Sequence, residues 1–167
     1  DAEFLYQLIR HYKPKNIIEI GSGSSTLIAS IAREKNDQSE DKKTSHFCIE
    51  PYQGEFLSEI NGIEIIRSLV EDCDKEIFQN LSENDLLFID SSHIIRPQGD
   101  VLFEYLELLP SLNKGVIVHI HDIFTPRDYL DEWINDQVLF WNEQYLVEAL
   151  ISNSNRYEVI ASLNHLK

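Results

Sequence analysis

The run Asn16-Ile-Ile-Glu-Ile-Gly-Ser-Gly-Ser-Ser-Thr26 narrows what this chain can fold into more than any other segment. An apolar, strand-like stretch carries the acidic Glu19 near its end, turns through Gly21 and Gly23, and leads into a helix-like pattern. Glycine at such a turn lets the chain reverse sharply and brings backbone N–H groups against a ligand that a side chain would hold away. The arrangement predicts a nucleotide-type cofactor at the carboxyl end of a parallel strand. The competing reading is an ordinary strand-to-helix turn, which needs the same glycines.

Spacing separates two cofactor classes. A dinucleotide fingerprint places glycine at the first, third and sixth positions, and the sixth position here is Thr26. The pattern Glu19-x-Gly21-x-Gly23-x-Ser25 instead resembles motif I of class I S-adenosylmethionine-dependent methyltransferases, with Ser25 in the last glycine place. That resemblance implies that Glu19, Gly21, Ser22, Gly23 and Ser25 line the cofactor.

The remaining pattern alternates strand and helix. A helical lead over Ala2 to Tyr12 precedes strands at Ile17 to Gly21, Phe47 to Glu50, Ile63 to Arg67, Leu86 to Asp90 and Gly115 to Asp122. Helices are expected from Ser25 to Arg33, briefly up to Ile60, from Gly99 to Leu109, and from Val138 to Ile151, with a polar surface loop over Asn36 to Thr44. A last strand is expected at Tyr157 to Leu163. Nearly continuous apolar strands separated by helices call for an α/β fold: a Rossmann-like, doubly wound, mostly parallel sheet with helices on both faces. At 167 residues the chain is read as a single domain, 1–167. The absence of methionine and an end soon after the last apparent strand suggest a piece of a longer product, with the sheet truncated at its C-terminal strand.

Composition removes several classes. With 14 basic against 29 acidic residues the formal charge is −15, which repels a phosphate backbone, so nucleic acid is not expected as a partner. No apolar run approaches bilayer length and no signal peptide pattern opens the chain, so no membrane association is expected and the cytoplasm is the default. Cys48 and Cys73 lack metal or redox spacing and are read as free thiols, as in a reducing compartment.

Three strands end in acids: Glu50, Asp90 and Asp122. Glu50 suits a ribose, since a carboxylate can accept from both hydroxyls. Phe88-Ile-Asp-Ser-Ser-His93 and Val118-His-Ile-His-Asp122 form the densest group of chemistry-bearing side chains. Asp90, His121 and Asp122 make a ligand set for a divalent cation of the Mg, Mn or Fe kind. His93 would then act as general base on a hydroxyl, because imidazole titrates near operating pH. His119, sharing a strand face with His121, is expected to be structural. Phe124 to Gln137, rich in aromatic residues, is expected to close over the substrate. Trp141, Tyr145 and Leu146 fit core positions on a helix, with Asn142 and Glu143 nearer an open edge.

These motifs, with Asp128-Tyr-Leu-Asp-Glu-Trp133 and Trp141-Asn-Glu-Gln-Tyr145, resemble methyltransferase family 24 over most of the chain. The resemblance implies a class I methyltransferase fold with S-adenosylmethionine as cofactor, and places an adenine contact at Glu71 and Asp72, with Asp90 also beside the cofactor. A more distant likeness is to metal-dependent O-methyltransferases of macrolide sugars. It implies Asp90 and Asp122 as metal ligands and His93 as base, with His121 departing from the acid found there. The expected activity is O-methylation of a small-molecule or glycan hydroxyl, catalysed by His93, Asp90 and Asp122, with Mg or another divalent cation assisting. The alternative is a degenerate methyltransferase-fold binding module.

Overall fold

The structure, a computed structural model, describes residues 2–41, 43–52, 54–152 and 154–165. The backbone divides into two compact units. Residues up to Asp90 with Ser111–His121 form one; Ser91–Pro110 with the residues from Asp122 onward form the other.

The first unit holds the sheet. Strands β1 (Asn16–Ile20), β2 (Ser45–Ile49), β3 (Glu64–Ile66), β4 (Leu86–Ile89) and β5 (Ile117–Ile120) pair in the order β3-β2-β1-β4-β5. All four pairings are parallel. The chain runs outward from β1 to β3 and then crosses back to lay β4 against the other side of β1, so the topological switch falls between β1 and β4. Ile17 lies beside His46 and Leu86, and Glu19 beside Cys48 and Phe88. The strands read as unbroken apolar runs because both faces are covered: Ile17, Leu86 and Phe88 on one face and Ile18, Ile20, Leu87 and Ile89 on the other are all buried.

Helix α1 (Ala2–Tyr12) and helix α2 (Ser24–Glu40) supply the cover on the first of these faces. Leu5, Leu8 and Ile9 of α1 and Ala29 and Ala32 of α2 pack with Ile17, Leu86, Phe88 and Ile117 in one core cluster. Helix α2 runs a further two turns past the expected end at Arg33 and takes in much of the expected polar loop. Its polar residues are bonded inward: Asn36 donates to the Ile9 carbonyl at 2.8 Å, Arg33 to the Asn61 carbonyl at 2.9 Å, and Thr44 donates its hydroxyl to Asp37 at 2.7 Å. Tertiary partners thus hold as helix a stretch whose composition reads as loop. Short helical turns at Glu55–Glu59, Val70–Asp72 and α3 (Glu76–Gln79) connect β2, β3 and β4.

The second unit is helical. Helix α4 (Asp100–Phe103) continues through a widened turn at Glu104–Leu108 into α5 (Leu109–Ser111). The widening lies just before Pro110, whose ring cannot follow a regular turn without striking a carbonyl four residues back. Two further helices, α6 (Asp131–Asn135) and α7 (Glu143–Ser152), follow. The helix expected from Val138 starts instead at Glu143. The strand expected at Tyr157 to Leu163 does not form. There the chain is irregular up to a single turn at Leu163–His165, Ser162 and Asn164 bond the carbonyls of Thr125 and Phe124, and Val159 and Ile160 remain exposed. No helix among the described residues is long and apolar enough to cross a membrane.

Candidate functional site

The carboxyl ends of β2, β1, β4 and β5 carry Glu50, Gly21, Asp90 and His121 in that order, each joined by its backbone N–H to a neighbouring strand. Glu50 donates to the Ile66 carbonyl at 3.0 Å, Gly21 to Ile49 at 3.0 Å, Asp90 to Ile20 at 2.9 Å and His121 to Ile89 at 2.9 Å. The row is therefore an extension of the sheet itself, and rigid for that reason.

Gly21 has a φ of +79°, and a Cβ there would stand 1.9 Å from the Asp90 carbonyl oxygen. Both conditions admit only glycine. Gly23 caps α2 and has nothing within 4 Å of where a Cβ would be, which leaves free space beside the turn. Its N–H donates to the Thr26 hydroxyl at 3.2 Å; Thr26 donates in turn to Glu19 at 2.9 Å, with Ser25 at 3.5 Å from the same carboxylate oxygen. Glu19 is buried, and its other oxygen meets His46 Nε2 at 2.5 Å. Glu19 thus anchors the glycine turn from below. Sequence reading assigned His46 no role; its position on β2, one strand from Glu19, carries no pattern that would have singled it out.

Glu50 accepts the Ser22 N–H at 3.2 Å and the Tyr52 N–H at 2.8 Å, one on each oxygen, which holds its carboxylate at the lip of the glycine turn. Glu71 and Asp72 lie together on the turn after β3. Glu71 is half-buried, with one oxygen that has no hydrogen-bond partner among the described residues, whereas Asp72 is exposed. Asp90 and His121 meet at 3.6 Å between Oδ1 and Nδ1. His119 is buried between Phe4 and Phe88, with ring centroids 6.3 and 4.9 Å away, and burial and the neighbouring His121 push its pKa down to about 4. It therefore sits as a neutral ring in an aromatic layer.

The second unit carries His93 and Asp122, both with left-handed backbone at φ +58° and +53°. Such a backbone is uncommon outside glycine, although Asn, Asp and His adopt it more readily than other residues. His93 is buried, and its Nδ1 lies 2.7 Å from Glu143 Oε2. Trp141 covers the ring at 4.3 Å between centroids. Glu143 is fully buried rather than at an open edge, and it also accepts the Tyr105 hydroxyl at 2.6 Å. Its place as first residue of α7 hid this, because the sequence suggests a helix starting earlier and so puts Glu143 on the wrong face. Tyr145, expected in the core, is exposed and bonds Asp128 at 2.7 Å. In the segment from Phe124 to Gln137, Tyr129 and Trp133 pack with Phe124 and Trp141 as an aromatic cluster.

A family model described as a methyltransferase domain, methyltransferase family 24, matches residues 18–123. The chain belongs to this methyltransferase family. The all-parallel order β3-β2-β1-β4-β5 is typical of the class I methyltransferase fold, and membership implies S-adenosylmethionine as methyl donor. An uncharacterised protein of Archaeoglobus fulgidus is 38% identical over 90 residues, which is 50% of this chain and 38% of that protein. The chain therefore matches well under half of that relative's length. No solved structure matches the chain.

The methyltransferase turn fits such a cofactor on its own geometry. The Gly21 approach to Asp90 leaves no side chain in the cradle, Gly23 leaves free space beside it, Glu50 offers carboxylate oxygens at its lip, and one buried Glu71 oxygen has no hydrogen-bond partner among the described residues. A cavity of about 490 Å³ lined by Lys13, Lys15, Asp37 and Lys43 lies at the opposite, amino-terminal ends of β1 and β2 and has none of these features.

Proposed function

We propose that this domain methylates a hydroxyl group of a small molecule or sugar, using S-adenosylmethionine and assisted by a divalent cation. When bound, S-adenosylmethionine supplies a methyl group activated on a sulfonium sulfur. Gly21, Ser22, Gly23 and Ser25 would hold it at the backbone turn, Glu19 would brace that turn, Glu50 would take the ribose hydroxyls, and Glu71 with Asp72 would border the adenine. His93 would receive the proton of the acceptor hydroxyl as its oxygen takes the methyl group and the sulfur leaves as the thioether. The protein's task is alignment of donor and acceptor and removal of that proton.

The observation that carries this reading is the pairing of Asp90 with His121 at the switch-point end of the sheet, beside the glycine turn. A carboxylate and an imidazole on adjacent strand tips would offer two donors to a divalent metal. A cation there would lower the pKa of a bound hydroxyl.

The test is release of S-adenosylhomocysteine across a panel of catechols, free sugars and nucleotide sugars, with Mg²⁺ or Mn²⁺ and with chelator. Turnover that chelator abolishes and Mn²⁺ restores supports the reading. Cofactor binding without turnover on any hydroxyl acceptor favours a binding module, and turnover on an amine alone sinks the hydroxyl assignment.

A further inference from the structure

We propose that Glu143 is a positioning residue for His93, holding the ring's Nδ1–H so that the lone pair stays on Nε2. The inference rests on the reading of His93 as the base that receives the hydroxyl proton.

The start of α7 grips His93 in several ways. The His93 carbonyl accepts the N–H of Asn142 at 3.0 Å and of Glu143 at 3.3 Å. The Asn142 side chain accepts the Ile95 N–H at 2.6 Å, so the turn that follows His93 is tied to the same helix end. The Trp141 ring covers the imidazole, and the Glu143 carboxylate binds Nδ1 at 2.7 Å. A histidine buried for packing alone needs one acceptor. Here backbone, ring face and ring nitrogen are all fixed, with the backbone in a left-handed conformation.

Charge in the pocket is arranged to keep Glu143 an acceptor. It stands at the first position of α7, where the helix dipole favours an anion, and the Tyr105 hydroxyl donates to its second oxygen at 2.6 Å. A second carboxyl, Glu104, is equally buried and bonds Ser91 at 3.0 Å. Burial first, and then the Glu143 charge, push the Glu104 carboxyl well above the usual carboxylate range, while burial and Glu143 keep the Tyr105 hydroxyl protonated. With the Tyr105 hydroxyl donating to Oε1, the Glu143 carboxylate meets the ring as an acceptor through Oε2, which puts the proton of the facing nitrogen on Nδ1.

The experiment is long-range proton–nitrogen correlation on ¹⁵N-labelled protein near pH 8, with the His93 signals assigned from the His93→Gln spectrum. The proposal expects a protonated Nδ1 in the wild-type protein and a shift of that proton toward Nε2 in Glu143→Ala. A wild-type His93 that carries its proton on Nε2 alone overturns it, and this reading does not depend on the folding of Glu143→Ala. With an acceptor in hand, Glu143→Ala lowers kcat about 10- to 100-fold and leaves KM for S-adenosylmethionine within twofold. An unchanged kcat, or a matching loss of cofactor affinity, overturns it. Protonated Nδ1 in a protein without turnover would confirm the positioning and count against the base role alone.

Discussion

The α-carbon of Gly21 faces the carbonyl oxygen of Asp90 so closely that a Cβ would stand 1.9 Å from it. The contact joins the turn after β1 to the end of β4 across the topological switch. It leaves no alternative at this position, because Asp90 is itself tied to the Ile20 carbonyl and cannot retreat. Gly21→Ala adds a backbone clash to the cost of a side chain at φ +79°, and is expected to destabilise the domain by about 3 kcal/mol or more. Urea unfolding measures this; a midpoint equal to wild type would mean that the turn is looser than described.

Gly23→Ala separates ligand binding from folding. Nothing lies within 4 Å of the added carbon, and its φ of −164° is extended backbone, so stability is expected to change by no more than about 0.5 kcal/mol. If the cofactor fills the free space there, the same substitution weakens S-adenosylhomocysteine binding by about tenfold. Parallel unfolding and calorimetry decide; a loss of stability with unchanged affinity would reverse the assignment.

Glu104 makes stability depend on pH in a defined direction. Its carboxyl holds a proton in the folded chain to a higher pH than in the unfolded chain, so stability falls as pH rises above the ordinary carboxylate range near 4.5. Glu104→Gln removes that proton without changing shape. Its urea midpoint is expected to gain on wild type between pH 5 and pH 8, and a constant difference across that range would show that Glu104 ionises normally.

The two cysteines should differ in reactivity. Burial, and then the charge of Glu19, push the Cys48 thiol up to about 12, and the side chain has no exposure. Cys73 is also raised by burial but is only half-buried. Iodoacetamide at pH 8 is expected to label Cys73 slowly and Cys48 only after unfolding. Labelling of native Cys48 at a rate matching Cys73 would show that the strand between β1 and β3 opens.

The central strands were legible because burial on both faces writes itself as unbroken apolar runs, and the glycine turn because backbone geometry demands glycine there. The ends of elements were not. Asn36 and Arg33 read as loop or helix-end residues, yet their bonds to Ile9 and Asn61 carry α2 onward. Val159 and Ile160 read as strand, but β-branched residues make a strand only where a neighbour pairs with them, and here they remain exposed without one. In the site, Glu50, Asp90 and His121 could be located because each ends a strand. Glu143 could not, since its meaning depends on Tyr105 and His93, both distant in sequence, and on a helix start that the apolar run Val138 to Trp141 obscured.

Binding of S-adenosylmethionine at the turn from Gly21 to Ser25, with Glu50 at its lip, is read by calorimetric titration with S-adenosylhomocysteine, NAD being the control ligand. The expected result is binding on the order of micromolar for the homocysteine product, none for NAD, and an affinity at least about tenfold weaker in Glu50→Ala. A folded protein that shows no heat with S-adenosylhomocysteine, or that binds NAD instead, would contradict it.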